Sequence, residues 1–148
     1  MDTATLTISA FFAKDHDEID AILARVDFRD PAAGLAALKE FDYRLERHII
    51  WEETVLFPAA GRAEPALARG PIPVMLQEHV RVRAAKAKAM ELMEKGDGVG
   101  ALTFIQEMLL VLSGHNMKEE HILYPASDRM IPKGEAETIL AVLASSAA

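Results

Sequence analysis

The chain contains no cysteine, which excludes disulfides, thiolate metal sites and iron-sulfur clusters and leaves only nitrogen and oxygen as metal ligands. It also lacks any basic excess, with a formal charge of -7 and a pI near 5.2. Nucleic acid is therefore not an expected partner, because an acidic surface repels phosphates and no stripe of Lys and Arg offsets that. The basic residues of HVRVRAAKAKAM at 79–90 come closest, but alanines dilute them and they follow a helical pattern, as on a solvated face. Long apolar runs are missing too. The longest strongly apolar stretch, MLLVL at 108–112, is too short to cross a bilayer. The leading segment MDTATLTISAFFAKDHDEID has no basic region ahead of its apolar residues. No membrane association is expected, and the cytoplasm is the simplest location. With 148 residues, 51% of them apolar, and no low-complexity tract, the chain reads as one globular domain over 1–148, large enough to bury a continuous core.

Strict alternation of apolar and polar residues, the mark of a half-buried strand, is absent, while apolar residues recur at helical spacing in four segments. The first runs from about Thr7 to Phe28, with Phe12, Ile19, Leu23 and Val26 on one stripe. Asp30 followed by Pro31 is an N-cap with proline in the first turn, so a second helix starts there and carries Leu38, Phe41, Leu45, Val55 and Leu56 inward. PAAGRAEPALARGPIP at 58–73 holds four prolines and two glycines and reads as a connection with room for one short turn of helix. A third helix follows from about Val74 to Lys95. GDGVG at 96–100 is a flexible break, and a fourth helix runs from about Ala101 to Tyr124, with Leu102, Ile105, Leu109, Leu112 and Ile122 inward, until Pro125 ends it. GEAETILAVLASS at 134–146 is a short fifth helix packed outside. The expected fold is all-α, an up-down-up-down four-helix bundle with a short extra C-terminal helix, the core bundle covering about 9–126.

Polar residues interrupt these stripes in a pattern. Helix two reads Leu38, Phe41, Leu45, His48, Glu52, Val55 along its inward seam, and helix four reads Leu109, Leu112, His115, Glu119, Ile122. His16 lies between Phe12 and Ile19 on helix one, and His79 follows Met75 on helix three. A lone inward His is usually a hydrogen-bonded core residue, and a single His-x-x-x-Glu can be an ordinary i, i+4 contact. The set is different. Each unpartnered buried polar group costs about 1 to 3 kcal/mol and an unpaired carboxylate more, against a total stability of about 5 to 15 kcal/mol. The halves also match: His16 precedes His48 by 32 residues, His79 precedes His115 by 36, and each half adds one His-x-x-x-Glu.

Six such groups converging inside a bundle are what a buried nitrogen-oxygen metal site requires. Four imidazoles and two carboxylates exceed the needs of one tetrahedral zinc and suit two ions sharing two glutamates. Imidazole plus carboxylate with open positions favours iron, with manganese or zinc as possible substitutes. DH at 15–16, HIIWEETVLFP at 48–58, EH at 78–79 and HNMKEEHILYP at 115–125 resemble the signature of the hemerythrin-like, or HHE cation-binding, proteins. That resemblance implies a carboxylate-bridged diiron centre, with an oxo or hydroxo bridge, held by His16, His48, Glu52, His79, His115 and Glu119, with Glu52 and Glu119 bridging. Two departures stand out. Oxygen-carrying relatives have a second histidine four residues after the helix-three one, where this chain has Arg83. They also place an aspartate five residues after the helix-four histidine, where this chain has Glu120. Glu119 keeps the seam, about 40° from His115, whereas Glu120 lies about 140° away.

Other residues are less telling. His121 is about 120° off the stripe and belongs at the surface. Arg83 and Lys86 fall near the inward side of helix three, where such chains usually snorkel; in a functional role, Arg83 would steer an anionic ligand or bond a bridging glutamate. Asp15, Asp17, Glu53, Glu78 and Glu120 flank the candidate ligands and are placed to take the free imidazole N–H groups. Met75, Met90, Met93 and Met108 are gap fillers, Trp51 is ordinary core, and neither Tyr43 nor Tyr124 has an evident chemical role. The leading expectation is a non-heme diiron protein that binds O2, NO or peroxide for sensing, storage or stress response. The alternatives are a diiron enzyme of oxidative or nitrosative stress defence or repair, turning over peroxide or NO or delivering iron, and a helical interaction module that metal merely stabilises. No protein partner can be read from the sequence.

Overall fold

Thr7 and Asp30 each present a side-chain oxygen that accepts a backbone N–H three residues on, from Ala10 and Ala33, and so open the first two helices. In the computed structural model, which describes residues 6–147, these are α1 (Ile8–Ala24) and α2 (Pro31–Trp51). Short α3 (Phe57–Ala63) and α4 (Pro65–Arg69) lead to α5 (Pro71–Glu94). After a tight connection come α6 (Gly98–Lys118), α7 (Tyr124–Met130) and α8 (Lys133–Ser146). No strand occurs among the described residues. The fold is the expected all-α bundle: α1 packs on α2, α2 on α5, α5 on α6, and α1 on α7, with α8 lying outside against α1.

The segment between α5 and α6 is structured rather than a loose break. Gly96 takes φ 84°, a left-handed conformation that ends α5. Asp97 caps α6 through the Gly100 N–H, so this helix starts three residues before the expected Ala101. Gly98 has no room for a Cβ, which would collide with the Phe28 carbonyl.

Larger departures occur at both repeated motifs. Pro58 and Pro125 do not end their helices, and 58–73 is mostly helical rather than an open connection. Instead each motif contains one turn of π-helix, Glu52–Leu56 and Glu119–Leu123, closed by i→i+5 bonds from Phe57 N–H to the Glu52 carbonyl and from Tyr124 N–H to the Glu119 carbonyl. A proline inside a regular helix clashes with the carbonyl four residues back; a wide turn just before the ring moves that carbonyl aside, so the chain continues.

The extra residue in each wide turn also rotates the next stretch of helix. Leu56 and Leu123 point inward, at 0% and 1% exposure, while Ile122, expected inside, is 53% exposed. Val55 is only half-buried, packed on the edge of the core. Leu102 and Leu109 are likewise exposed, because the inward stripe of α6 runs through Ala101, Ile105, Met108, Leu112 and His115. The continuous rod from Gly98 to Met130 is long and apolar enough to cross a membrane. Its inward face, however, presents His115 and Glu119 to polar groups on three other helices.

The core falls into two apolar clusters. One gathers Phe12, Trp51, Leu56, Phe57, Met75, Leu123 and Tyr124. The other gathers Ile19, Leu38, Phe41, Leu45, Val82, Ile105, Met108 and Leu112. All six candidate ligands sit in the layer between them.

Candidate metal centre

Four helical arms supply the layer. α1 brings Asp15 and His16, α2 brings His48, and the first wide turn brings Glu52 and Glu53; α5 brings Glu78 and His79, α6 brings His115, and the second wide turn brings Glu119 and Glu120. His16, His48, Glu52, His79, His115 and Glu119 are all 5% exposed or less, the two glutamates 0%. They form two overlapping groups close enough to share an ion, one of Glu52, His79, His115 and Glu119 and one of His16, His48 and Glu119.

Atom by atom, every inner carboxylate oxygen faces one imidazole nitrogen. Glu52 Oε1 is 3.1 Å from His79 Nε2 and its Oε2 is 3.5 Å from His48 Nε2. Glu119 Oε1 is 3.3 Å from His16 Nε2 and its Oε2 is 3.2 Å from His115 Nε2. Each carboxylate thus offers one oxygen to the His16–His48 half and the other to the His79–His115 half.

The outer ring nitrogens are tied down by carboxylates. His16 Nδ1 donates to Glu120 (2.7 Å), His48 Nδ1 to Asp15 (2.8 Å), His79 Nδ1 to Glu53 (2.7 Å) and His115 Nδ1 to Glu78 (3.0 Å). A carboxylate on Nδ1 fixes the hydrogen there, so Nε2 presents its lone pair to the interior. Three of these carboxylates are held in turn by cations: Asp15 by Arg44 (2.8 Å), Glu78 by Lys118 (2.6 Å) and Glu53 by Arg83 (3.1 Å to each oxygen). Asp17, which the sequence offered for the same task, is exposed and makes none of these bonds. Arg83 does not reach Glu52 or Glu119; it spans Glu53 and Glu46 and acts on His79 at one remove. Lys86 does not snorkel out; it is 5% exposed and pairs with Asp42 and Glu46.

The electrostatics of the layer favour positive charge. Burial opposes charge on His48, yet the Glu52 carboxylate and the bonds with Asp15 and Glu52 outweigh it and push its pKa up to about 10. Burial likewise opposes charge on His115, and Glu119 beside it raises the pKa nonetheless. Against the same penalty, the His48 charge holds the Glu52 carboxyl well below its usual range. The layer draws positive charge inward. Among the described residues, Glu119 Oε2 has no hydrogen-bond donor. Four imidazole nitrogens and two carboxylates turned to one layer form a donor set that fits cations. A cavity of about 20 Å³ lies at the cluster itself, with all six candidate ligands in its lining. Ile19, Leu45, Ile49 and Leu112 form its apolar wall, and Asp20 and Asn116 also line it.

Tyr124 is the residue that sequence reasoning missed. It is fully buried, its ring stacked on Phe12 at 5.1 Å, and its hydroxyl is 2.6 Å from Glu52 Oε2 and 3.0 Å from Glu119 Oε1, which accept from it. Burial and the two glutamates push its phenol well above the ordinary value. A signal was present: the two motifs align residue for residue, and Tyr124 is the partner of Phe57, the one place where the repeat gains a hydroxyl. His121 is at the surface, as expected.

The family model described as Hemerythrin HHE cation binding domain matches residues 7–127. Comparison with curated proteins and with solved structures gives no match.

Proposed function

The chain belongs to the hemerythrin HHE cation-binding family, and from that premise we propose that it holds two iron ions and binds a small diatomic or oxidant, O2, NO or peroxide, for sensing, storage or stress response. His16 and His48 would hold one ion, His79 and His115 the other, and Glu52 and Glu119 would bridge them. The observation that supports this is the division of the carboxylates, each with one oxygen toward either histidine pair at 3.1 to 3.5 Å. When bound, the ion pair supplies redox-active positions for a small oxidant. The protein's own groups do the rest: Asp15, Glu53, Glu78 and Glu120 orient the rings, and Ile19, Leu45, Ile49 and Leu112 give the site an apolar wall.

The enzyme alternative draws on Arg83, which stands where oxygen carriers have a further histidine and is committed to Glu46 and Glu53. That leaves two imidazoles per ion and room for turnover of peroxide or NO. Metal analysis and the absorption spectrum of aerobically purified protein test the shared premise. Two irons per chain support it, and one zinc or no metal favours the interaction module. Stopped-flow mixing with peroxide or NO then separates repeated consumption from a single binding event.

A further inference from the structure

We propose that Tyr124 is a seventh ligand, its phenolic oxygen coordinating the ion held by His16 and His48, so that the two halves of the centre are unequal. This rests on the two-ion reading above and adds to it a residue and an asymmetry. The argument begins with distance. Ligand atoms about 2.1 Å from one ion and roughly at right angles or tetrahedral angles to each other stand about 3.0 to 3.5 Å apart. Tyr124 Oη lies within that range of three of them, 3.4 Å from His16 Nε2, 3.3 Å from His48 Nε2 and 3.0 Å from Glu119 Oε1, and makes a 2.6 Å hydrogen bond to Glu52 Oε2. The other members of that set are spaced alike, with His16 Nε2 3.3 Å from Glu119 Oε1 and His48 Nε2 3.5 Å from Glu52 Oε2. A hydroxyl that only bonded a bridging glutamate from outside would have no reason to stand equally close to two imidazole nitrogens.

The wide turn is what puts it there. In a regular helix, residue 124 would be about 140° around from residue 119; the i→i+5 bond from Tyr124 N–H to the Glu119 carbonyl sets it one turn above Glu119 instead. The matching turn carries Phe57, whose ring stacks on His79 at 5.8 Å and offers no ligand atom. Tyr124 thus adds an oxygen to the half that gathers His16, His48 and Glu119, whereas the half of Glu52, His79, His115 and Glu119 gains no ligand atom from Phe57. On coordination the phenol O–H bond is replaced by an O–metal bond and the proton leaves to solvent, as metal loading generally releases ligand protons.

The test is spectroscopic. Ferric protein should show a visible tyrosinate-to-iron charge-transfer band, which Tyr124→Phe abolishes while at least one iron stays bound. Zinc loading of the wild type should give an ultraviolet difference spectrum of one tyrosinate per chain, readable without any variant because Tyr43, the other tyrosine, is 62% exposed. Two bound irons with no such band, a band that survives Tyr124→Phe, or zinc loading without a tyrosinate signal would overturn the proposal and leave the two-ion reading standing. A wild-type chain that takes up neither iron nor zinc would overturn both.

Discussion

Replacing Glu53 with alanine should weaken one half of the centre and spare the other. Glu53 touches no inner ligand atom; it accepts the His79 Nδ1 hydrogen at 2.7 Å and is clamped by Arg83 at 3.1 Å to both oxygens. Without it, a ring nitrogen on a 1% exposed histidine loses its only fixed acceptor, an unmet donor that costs about 1 to 3 kcal/mol. The ring is also free to turn its Nε2 away from Glu52. Loss of such an orienting partner typically lowers metal affinity about 10- to 100-fold, or about 1.4 to 2.7 kcal/mol, so two routes give one range. Arg83 stays paired with Glu46, which limits disturbance elsewhere. Iron retention against a competing chelator measures the effect, and one of the two irons should be lost at about a tenth to a hundredth of the wild-type chelator excess. Asp17→Ala is the control: it adjoins His16 in sequence but is exposed and holds no ring. Equal iron retention in Glu53→Ala and wild type, or equal loss in Asp17→Ala, would refute the reasoning.

Glu52→Gln and Glu119→Gln should each lose at least one iron by metal analysis, since either change removes charge shared by both halves; retention of both irons would count against a bridge at that position. The wide turn makes its own prediction: Leu123→Ala, at 1% exposure, should cost about 2 to 5 kcal/mol in denaturant unfolding, whereas Ile122→Ala, at 53%, should stay within about 0.5 kcal/mol. A regular helix through this segment would reverse that order. The hydrogen bond from Arg83 holds the Glu46 carboxyl below its ordinary 4.5. Its contribution to stability is thus present above about pH 4.5 and lost as pH falls through the lowered pKa. Denaturant midpoints of Glu46→Gln and wild type should converge on acidification, and a gap that persists at about pH 2 would exclude this origin.

The polar seam is legible in the sequence because helical periodicity alone puts His48 with Glu52 and His115 with Glu119 on one face, and because polar groups there are too costly to be idle. The four long helices are legible for the same reason. Periodicity at 100° per residue is blind to any place where the chain departs from that angle. Both wide turns fall at the motifs, so it points Ile122 inward where Leu123 actually lies, puts Val55 as deep as Leu56, and reads two prolines as helix ends. Tyr124 escapes it for the same cause: its position above Glu119 depends on the wide turn. The orienting carboxylates are visible as neighbours of each ligand, but only packing separates Asp15, which bonds His48 across two helices, from Asp17, which faces water.

The most direct measurement is a crystal structure of the iron-loaded protein with anomalous diffraction at the iron edge. Two peaks should lie on either side of the Glu52 and Glu119 carboxylates, one within bonding distance of His16 and His48 and the other of His79 and His115. A single peak, peaks elsewhere, or the two carboxylates turned away from the histidines would contradict the two-ion centre.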